Sequence, residues 1–221
     1  MKIGILSDTH DLLRPQVMAS LSDVQAILHA GDISSQRILD QLVEIAPVYA
    51  VRGNADKEWA ADLPAFREME LAGLHICMTH RKKDLPADLS PYDLAIVGHS
   101  HRYAETWQTM STGKRTLIFN PGSCGPRRFH QPITLAVMTV RDDGWAIRRV
   151  EIPHLTAVQT IDPGDLRKQI EITVREAKKG RGPLEIAGKY GLDPALTEQI
   201  IRLQVTHPGV SVEGIMSKMG L

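Results

Sequence analysis

Cysteine is nearly absent from this chain: Cys77 and Cys124 are the only two. Two thiols cannot build a disulfide framework and are not spaced as a zinc knuckle, so a reduced, cytoplasmic setting is expected. Net charge is also absent, because 26 basic residues stand against 26 acidic ones. No overall field then steers the protein toward nucleic acid or an anionic membrane, and any such partner would need a local patch. Aromatic residues are scarce at 5%. No apolar run approaches membrane-spanning length, and the opening Met1–Leu6 turns polar at Ser7-Asp8, too early for a signal-peptide core. A soluble intracellular protein with no membrane partner is the expectation. What is present is ordinary for a globular chain of 221 residues, with 43% hydrophobic and 24% charged residues. That length allows one large domain, or an ordinary one with a small appendage.

The informative pattern is where short apolar runs end. Ile3–Leu6 gives way to Ser7-Asp8-Thr9-His10, Ala26–Ala30 to Gly31-Asp32, and Val48–Val51 to Arg52-Gly53-Asn54-Ala55-Asp56. Between these runs lie two helical stretches: one opens at Pro15 with Val17, Leu21 and Val24 on a face. The other is capped by Ser34 or Ser35, with Ile38, Leu39, Leu42 and Val43 as its buried stripe. Strands alternating with helices predict βαβ units and a largely parallel sheet. Beyond Pro64 the pattern changes: runs over 66–71 and 74–78 flank Ala72-Gly73 and read as a hairpin, ending in Thr79-His80. Leu94–Val97 then delivers Gly98-His99-Ser100-His101, and Thr116–Phe119 delivers Asn120-Pro121-Gly122-Ser123. Runs over 133–140 and 145–150 flank Asp142-Asp143-Gly144 as a closing hairpin.

Ligands gather at the carboxyl ends of strands in open α/β sheets. Asp8, His10, Asp32, Asn54, His80, His99 and His101 all fall at such ends. Carboxylate, carboxamide and imidazole together suit two adjacent divalent ions such as Mn²⁺, Fe²⁺, Co²⁺, Ni²⁺ or Zn²⁺, whereas the missing thiolates argue against a structural zinc. Any one of these residues alone reads equally well as an ordinary polar loop residue.

Taken in order, Asp8-Thr9-His10, Gly31-Asp32, Gly53-Asn54-Ala55-Asp56, Thr79-His80 and Gly98-His99-Ser100-His101 resemble the five blocks of the calcineurin-like metallophosphoesterase superfamily. They are most similar to its small bacterial and archaeal phosphodiesterase branch, over roughly residues 1–150. The resemblance implies a two-sheet αββα sandwich with a dimetal centre, manganese foremost, at one edge. It implies that Asp8, His10 and His101 hold one metal, that Asn54, His80 and His99 hold the other, and that Asp32 bridges them. It also implies in-line attack of a metal-bridging hydroxide on a small-molecule or nucleotide-type phosphate ester, with Asp32, Asn54 and His99 counted as catalytic. The same fold serves a retromer subunit mainly as a binding platform, which keeps a non-catalytic, metal-stabilised scaffold as the alternative.

Two positions depart from the family pattern. Ala55 stands where many members carry a histidine that is a candidate general acid, which leaves the role of Asp56, the carboxylate expected to orient it, open. Arg81 stands where relatives often have glycine, and it becomes a candidate contact for substrate phosphate, as do Arg127 and Arg128 after the Asn-Pro-Gly-Ser stretch. His29 reads as a core or supporting histidine. From residue 155 the chain is expected to form an all-helical appendage, separate from a domain over 1–154, with helices over 165–179, 184–190, 195–205 and 212–219. Residues 184–205 resemble a helix-turn-helix. The segment is nearly neutral, however, which favours a cap over the site or a homo-oligomer contact above DNA binding.

Overall fold

Ile3, Ile5 and Leu6 are fully buried, and their alternation sends Ile3 and Ile5 to one face of the first strand and Leu6 to the other. This strand, β1 (Lys2–Leu6), is central in the computed structural model, which describes residues 1–126, 131–153 and 163–219. On one side it pairs in parallel with β2 (Ala26–His29), which pairs with β3 (Val48–Ala50). On the other side it runs antiparallel to β9 (Ile133–Arg141), itself in a hairpin with β10 (Gly144–Ile152).

The second sheet has the order β4-β5-β6-β8-β7. The strands β4 (Phe66–Leu71) and β5 (Leu74–Thr79) form the expected hairpin, and β5, β6 (Leu94–Ile96) and β8 (Arg115–Pro121) are parallel. An antiparallel edge strand, β7 (Tyr103–Thr109), completes it. Each sheet is therefore mixed, where strand-helix alternation alone predicted one largely parallel sheet. The strand β7 had no counterpart in the sequence reading.

Ile3, Ile5 and Leu28 of the first sheet pack against Ile76, Met78, Ile96 and Phe119 of the second, forming the interior of the sandwich. Leu6, Ile27 and Leu135 face outward against Val17 of α1 (Pro15–Ser20), Leu21 after it, and Ile38 and Leu42 of α2 (Gln36–Val43). Gly4 leaves room on that face for Leu21, whose side chain would have to shift if a Cβ stood there, 2.4 Å from Leu21 Cδ2. Val43 does not join the buried stripe: it ends α2 at 59% exposure, so the stripe closes at Leu42. The outer face of the second sheet is covered by the loop bearing Leu85, Leu89 and Tyr92.

The chain divides into two compact units, Met1–Pro153 and His154–Leu221. The second contains α3 (Pro163–Ala177), α4 (Pro183–Tyr190), α5 (Pro194–Thr206) and α6 (Val212–Lys218), packed around Leu166, Ile170, Leu196, Ile200 and Ile215. Among the described residues no helix is long and apolar enough to cross a membrane.

Candidate metal centre

The loops leaving β1, β2, β3, β5 and β6 meet at one edge of the sandwich. They are tied together by main-chain bonds from Asp8 N to Gly31 O (2.9 Å), His10 N to Asp32 O (3.0 Å) and Gly98 N to His80 O (2.9 Å). Asp8, His10, Asp32, His99 and His101 all adopt left-handed backbone, with φ between 44° and 68°. Each such non-glycine residue costs roughly 1 kcal/mol. Strain repeated at five polar positions of one site is maintained by the surrounding fold, as it is in functional loops. Gly98 and Gly53 allow the close approach: a Cβ on Gly98 would meet Ser7 Oγ at 2.0 Å, and one on Gly53 would meet Asp32 Oδ1 at 2.3 Å.

Two nests of ligand-type atoms result, Asp8-His10-His101 and Asp32-His80-His99, each with its atoms within 4.8 Å of one another. Asp32 of the second nest also approaches the first: its Oδ2 lies 3.3 Å from His80 Nε2 and 3.7 Å from His10 Nε2. Asn54 sits beside the same oxygen, with its amide nitrogen 3.4 Å away. All seven sequence-predicted strand-end residues are thus brought together. Asp56 is close by but faces the backbone: Oδ1 accepts from Ile33 N (2.9 Å) and Ser34 N (2.7 Å), and Oδ2 accepts from Gly53 N (2.8 Å). Arg81 flanks His80 and donates through Nε to Asp84 Oδ2 at 3.0 Å. Arg127 and Arg128 lie outside the described residues.

The electrostatics of the nests call for a cation. His80 Nδ1 donates to Ala30 O at 2.8 Å, which turns Nε2 toward the Asp32 carboxylate with no aligned hydrogen bond. Asp8 Oδ1 is likewise buried without one. His10 Nε2 and His101 Nε2 approach to 3.3 Å, where two neutral imidazole lone pairs repel unless a proton or a metal lies between them. Burial opposes ionisation of Asp32, but the His80 imidazole, the Ala55 N–H at 2.7 Å and the charge of His10 outweigh it and hold the carboxyl at about 2. Burial resists charging of His80 as well, yet Asp32, the Ala30 carbonyl and the charge of Asp8 raise its pKa. A nitrogen and oxygen donor set with no thiolate, containing buried atoms that lack aligned hydrogen bonds, fits divalent first-row metals.

Residues 1–143 match the calcineurin-like phosphoesterase superfamily domain. The chain belongs to that superfamily. It is 31% identical over 159 residues to a probable metallophosphoesterase of Methanothermobacter thermautotrophicus, covering 65% of this chain and 87% of the relative. It is 29% identical over 146 residues to a phosphodiesterase of Methanocaldococcus jannaschii, covering 56% and 84%. In fold it resembles Vps29 of Chaetomium thermophilum, with a TM-score of 0.54 at 19% identity, covering 68% of this chain and 97% of the other. An uncharacterized Streptococcus pneumoniae protein described as a predicted phosphoesterase gives 0.52 at 23%, covering 68% and 88%. The chain is therefore a metal-binding phosphoester hydrolase.

Around this phosphoesterase centre stand further residues, of which the sequence gave a supporting role to His29 and none to Asn120 or Ser123. Asn120 Nδ2 donates to Gly98 O (2.7 Å) and Ser100 Oγ (3.1 Å), holding the loop that carries His99 and His101. Ser123 Oγ donates to Asp8 O at 2.9 Å. Asn120 follows an apolar run as the other site residues do, so the same signal pointed to it. His29 is fully buried between Thr9 Oγ1 (3.1 Å) and the Gly31 N–H (3.2 Å), and burial pulls its pKa down to about 4. It supports the β2 loop as a neutral imidazole. Beside Asn54 and His80 opens a cleft of about 420 Å³, lined also by Arg52, Phe66, Arg81 and Asp84.

Proposed function

We propose that the protein is a dimetal phosphodiesterase. Asp8, His10 and His101 would hold one divalent cation, Asn54, His80 and His99 the other, with Asp32 shared between them. The observation that carries this reading is the position of Asp32 Oδ2, 3.7 Å from His10 and 3.3 Å from His80, so that one carboxylate oxygen stands between a histidine of each nest. When bound, the cations supply Lewis-acid neutralisation of phosphoryl charge and activation of water at neutral pH.

The protein's own groups fix the geometry of that chemistry. The Asp32 and Asp8 side chains would face the cations, held by the Ala55 N–H on one and the His99 N–H (3.0 Å) and Ser7 hydroxyl (2.6 Å) on the other. The Ala30 carbonyl sets the His80 tautomer. Asn54 and Arg81 line the open cleft, where they would meet the phosphate oxygens. The diester preference follows the named activity of the Methanocaldococcus relative. Manganese is the leading candidate metal because hard carboxylate and amide oxygens accompany the imidazoles. Residues 155–221 are read as a separately folding helical addition, and a cytoplasmic setting is retained from the two reduced cysteines.

The test is hydrolysis of bis(p-nitrophenyl) phosphate by metal-stripped protein, with Mn²⁺, Ni²⁺, Co²⁺, Zn²⁺ or Mg²⁺ added back and Asp32→Ala alongside. Metal-dependent release of p-nitrophenolate that is lost in the variant is expected. Tight metal binding with no turnover of any ester would overturn the catalytic reading in favour of a scaffold.

A further inference from the structure

Phe66 is out of place by packing. Along β4 the residues Phe66, Glu68 and Glu70 share the outward face, while Arg67, Met69 and Leu71 are turned inward. A large ring at 37% exposure therefore sits on a face otherwise given to carboxylates. Its place is fixed relative to the metal centre, because it pairs across the hairpin with Thr79, the residue before His80. Two guanidinium groups share its cleft. Arg81 commits Nε to Asp84 and keeps its terminal NH₂ groups, and exposed Arg52 makes no ion pair among the described residues. On a chain of zero net charge, two arginines and one exposed ring beside a phosphoesterase centre form a local patch of one specific chemistry.

Resting on the phosphodiesterase reading, we propose that this cleft is a subsite for the nucleoside arm of the substrate: Phe66 stacks a planar base, and Arg52 and Arg81 bind the phosphate that links it. Ring faces stack on any base, and guanidinium planes serve both stacking and bidentate contact with phosphate oxygens. The cleft, at about 420 Å³, lies within the range of small-molecule sites. The substrate class is thus a nucleotide-type diester in preference to an alkyl one.

Thymidine 5′-(p-nitrophenyl phosphate) and methyl p-nitrophenyl phosphate share the scissile bond and leaving group and differ in the retained arm. The ratio of their kcat/KM values reads the subsite. It is expected to favour the thymidine ester by about tenfold, to collapse in Phe66→Ala and Arg52→Ala through KM, and to survive in Phe66→Tyr. An equal ratio in wild type, or a ratio untouched by both alanine variants, overturns the subsite. Calorimetric binding of thymidine 5′-monophosphate to the Mn²⁺-loaded protein gives the same answer without turnover. About tenfold weaker binding in Phe66→Ala supports the proposal, and an unchanged Kd overturns it. Failure of the protein to hydrolyse either ester would instead remove the phosphodiesterase reading, with the calorimetric comparison still deciding the subsite.

Discussion

The backbone N–H of Ala55 donates to Asp32 Oδ1 at 2.7 Å. Residue 55 therefore serves the Asp32 carboxylate through its main chain and offers substrate only a methyl group. With no imidazole at that position to protonate the departing oxygen, leaving groups that need a proton should suffer, since general-acid catalysis contributes typically about 10²–10⁴-fold. An aryl diester should be cleaved at least about 10²-fold faster than a dialkyl one, and Ala55→His should narrow the difference by accelerating the alkyl ester. Matched steady-state rates on the two ester classes check this, and equal rates in the wild type would sink it.

Asp56 accepts three backbone N–H bonds, from Ile33, Ser34 and Gly53. They fasten the loop after β3 to the loop after β2, so Asp56 positions Asn54 and Asp32 instead of orienting a missing histidine. Removing a charged acceptor from buried donors costs about 1–3 kcal/mol for each one left unpaired. Asp56→Ala should destabilise the first unit by at least about 3 kcal/mol in urea denaturation and loosen metal retention with it. A variant as stable as the parent would show that water replaces the carboxylate without loss.

Much of this candidate site was legible because its candidate ligands follow runs such as Ile3–Leu6 and Leu94–Val97, whose burial writes itself as unbroken apolar sequence. The edge strand β7 left no such mark, since Tyr-Ala-Glu-Thr-Trp-Gln-Thr is largely exposed and neither alternates nor forms an apolar run. The division into two sheets was equally silent in local pattern, because β1 and β5 each read as a buried strand whichever sheet receives them. The braces made by Asp56 and Asn120 join segments some 20 residues apart or more and depend on the loops' exact approach. No spacing rule captures that. Val43 misled because helical periodicity continues past the last turn that actually faces the core.

Cys77 is fully buried, and burial pushes its thiol up to about 12; Cys124 is driven to about 12 by burial and then by the nearby charge of Asp8. In the unfolded chain both would ionise near 9. The raised folded pKa makes the neutral thiols a source of stability that is complete below 9 and is lost as pH rises toward 12. At pH 8 neither should react with a disulfide reagent in the native protein, and both should react on denaturation. Fast labelling of the folded protein would contradict the buried placement.

The β4–β5 turn places Ala72 at φ 54° and Gly73 at φ 76°, both in the left-handed region of a two-residue hairpin. Alanine is strained there, while asparagine is preferred at the first position. Ala72→Asn should raise stability by about 0.5–1 kcal/mol without altering metal-dependent turnover, as the turn is exposed. Denaturant midpoints of the two proteins decide it, with an unchanged or lower midpoint counting against the assigned turn.

In the helical unit Glu176 is the buried charge, 1% exposed, and it accepts from Lys179 Nζ (2.8 Å), Arg175 Nε (3.2 Å) and Arg181. A carboxylate in that position is tolerable only because three cations compensate its desolvation. Arg181, beyond the end of α3 and the least exposed of the three, joins the turn between α3 and α4 to the helix. Glu176→Gln keeps the shape and removes the charge, so it should cost about 1–3 kcal/mol, and Arg181→Ala should cost more than Arg175→Ala. If residues 155–221 fold as their own unit, calorimetry of the full chain will show the Glu176→Gln shift in one transition only. The metal-loaded transition of the phosphoesterase unit will stay in place. A single transition displaced as a whole would instead mean that the two units unfold together.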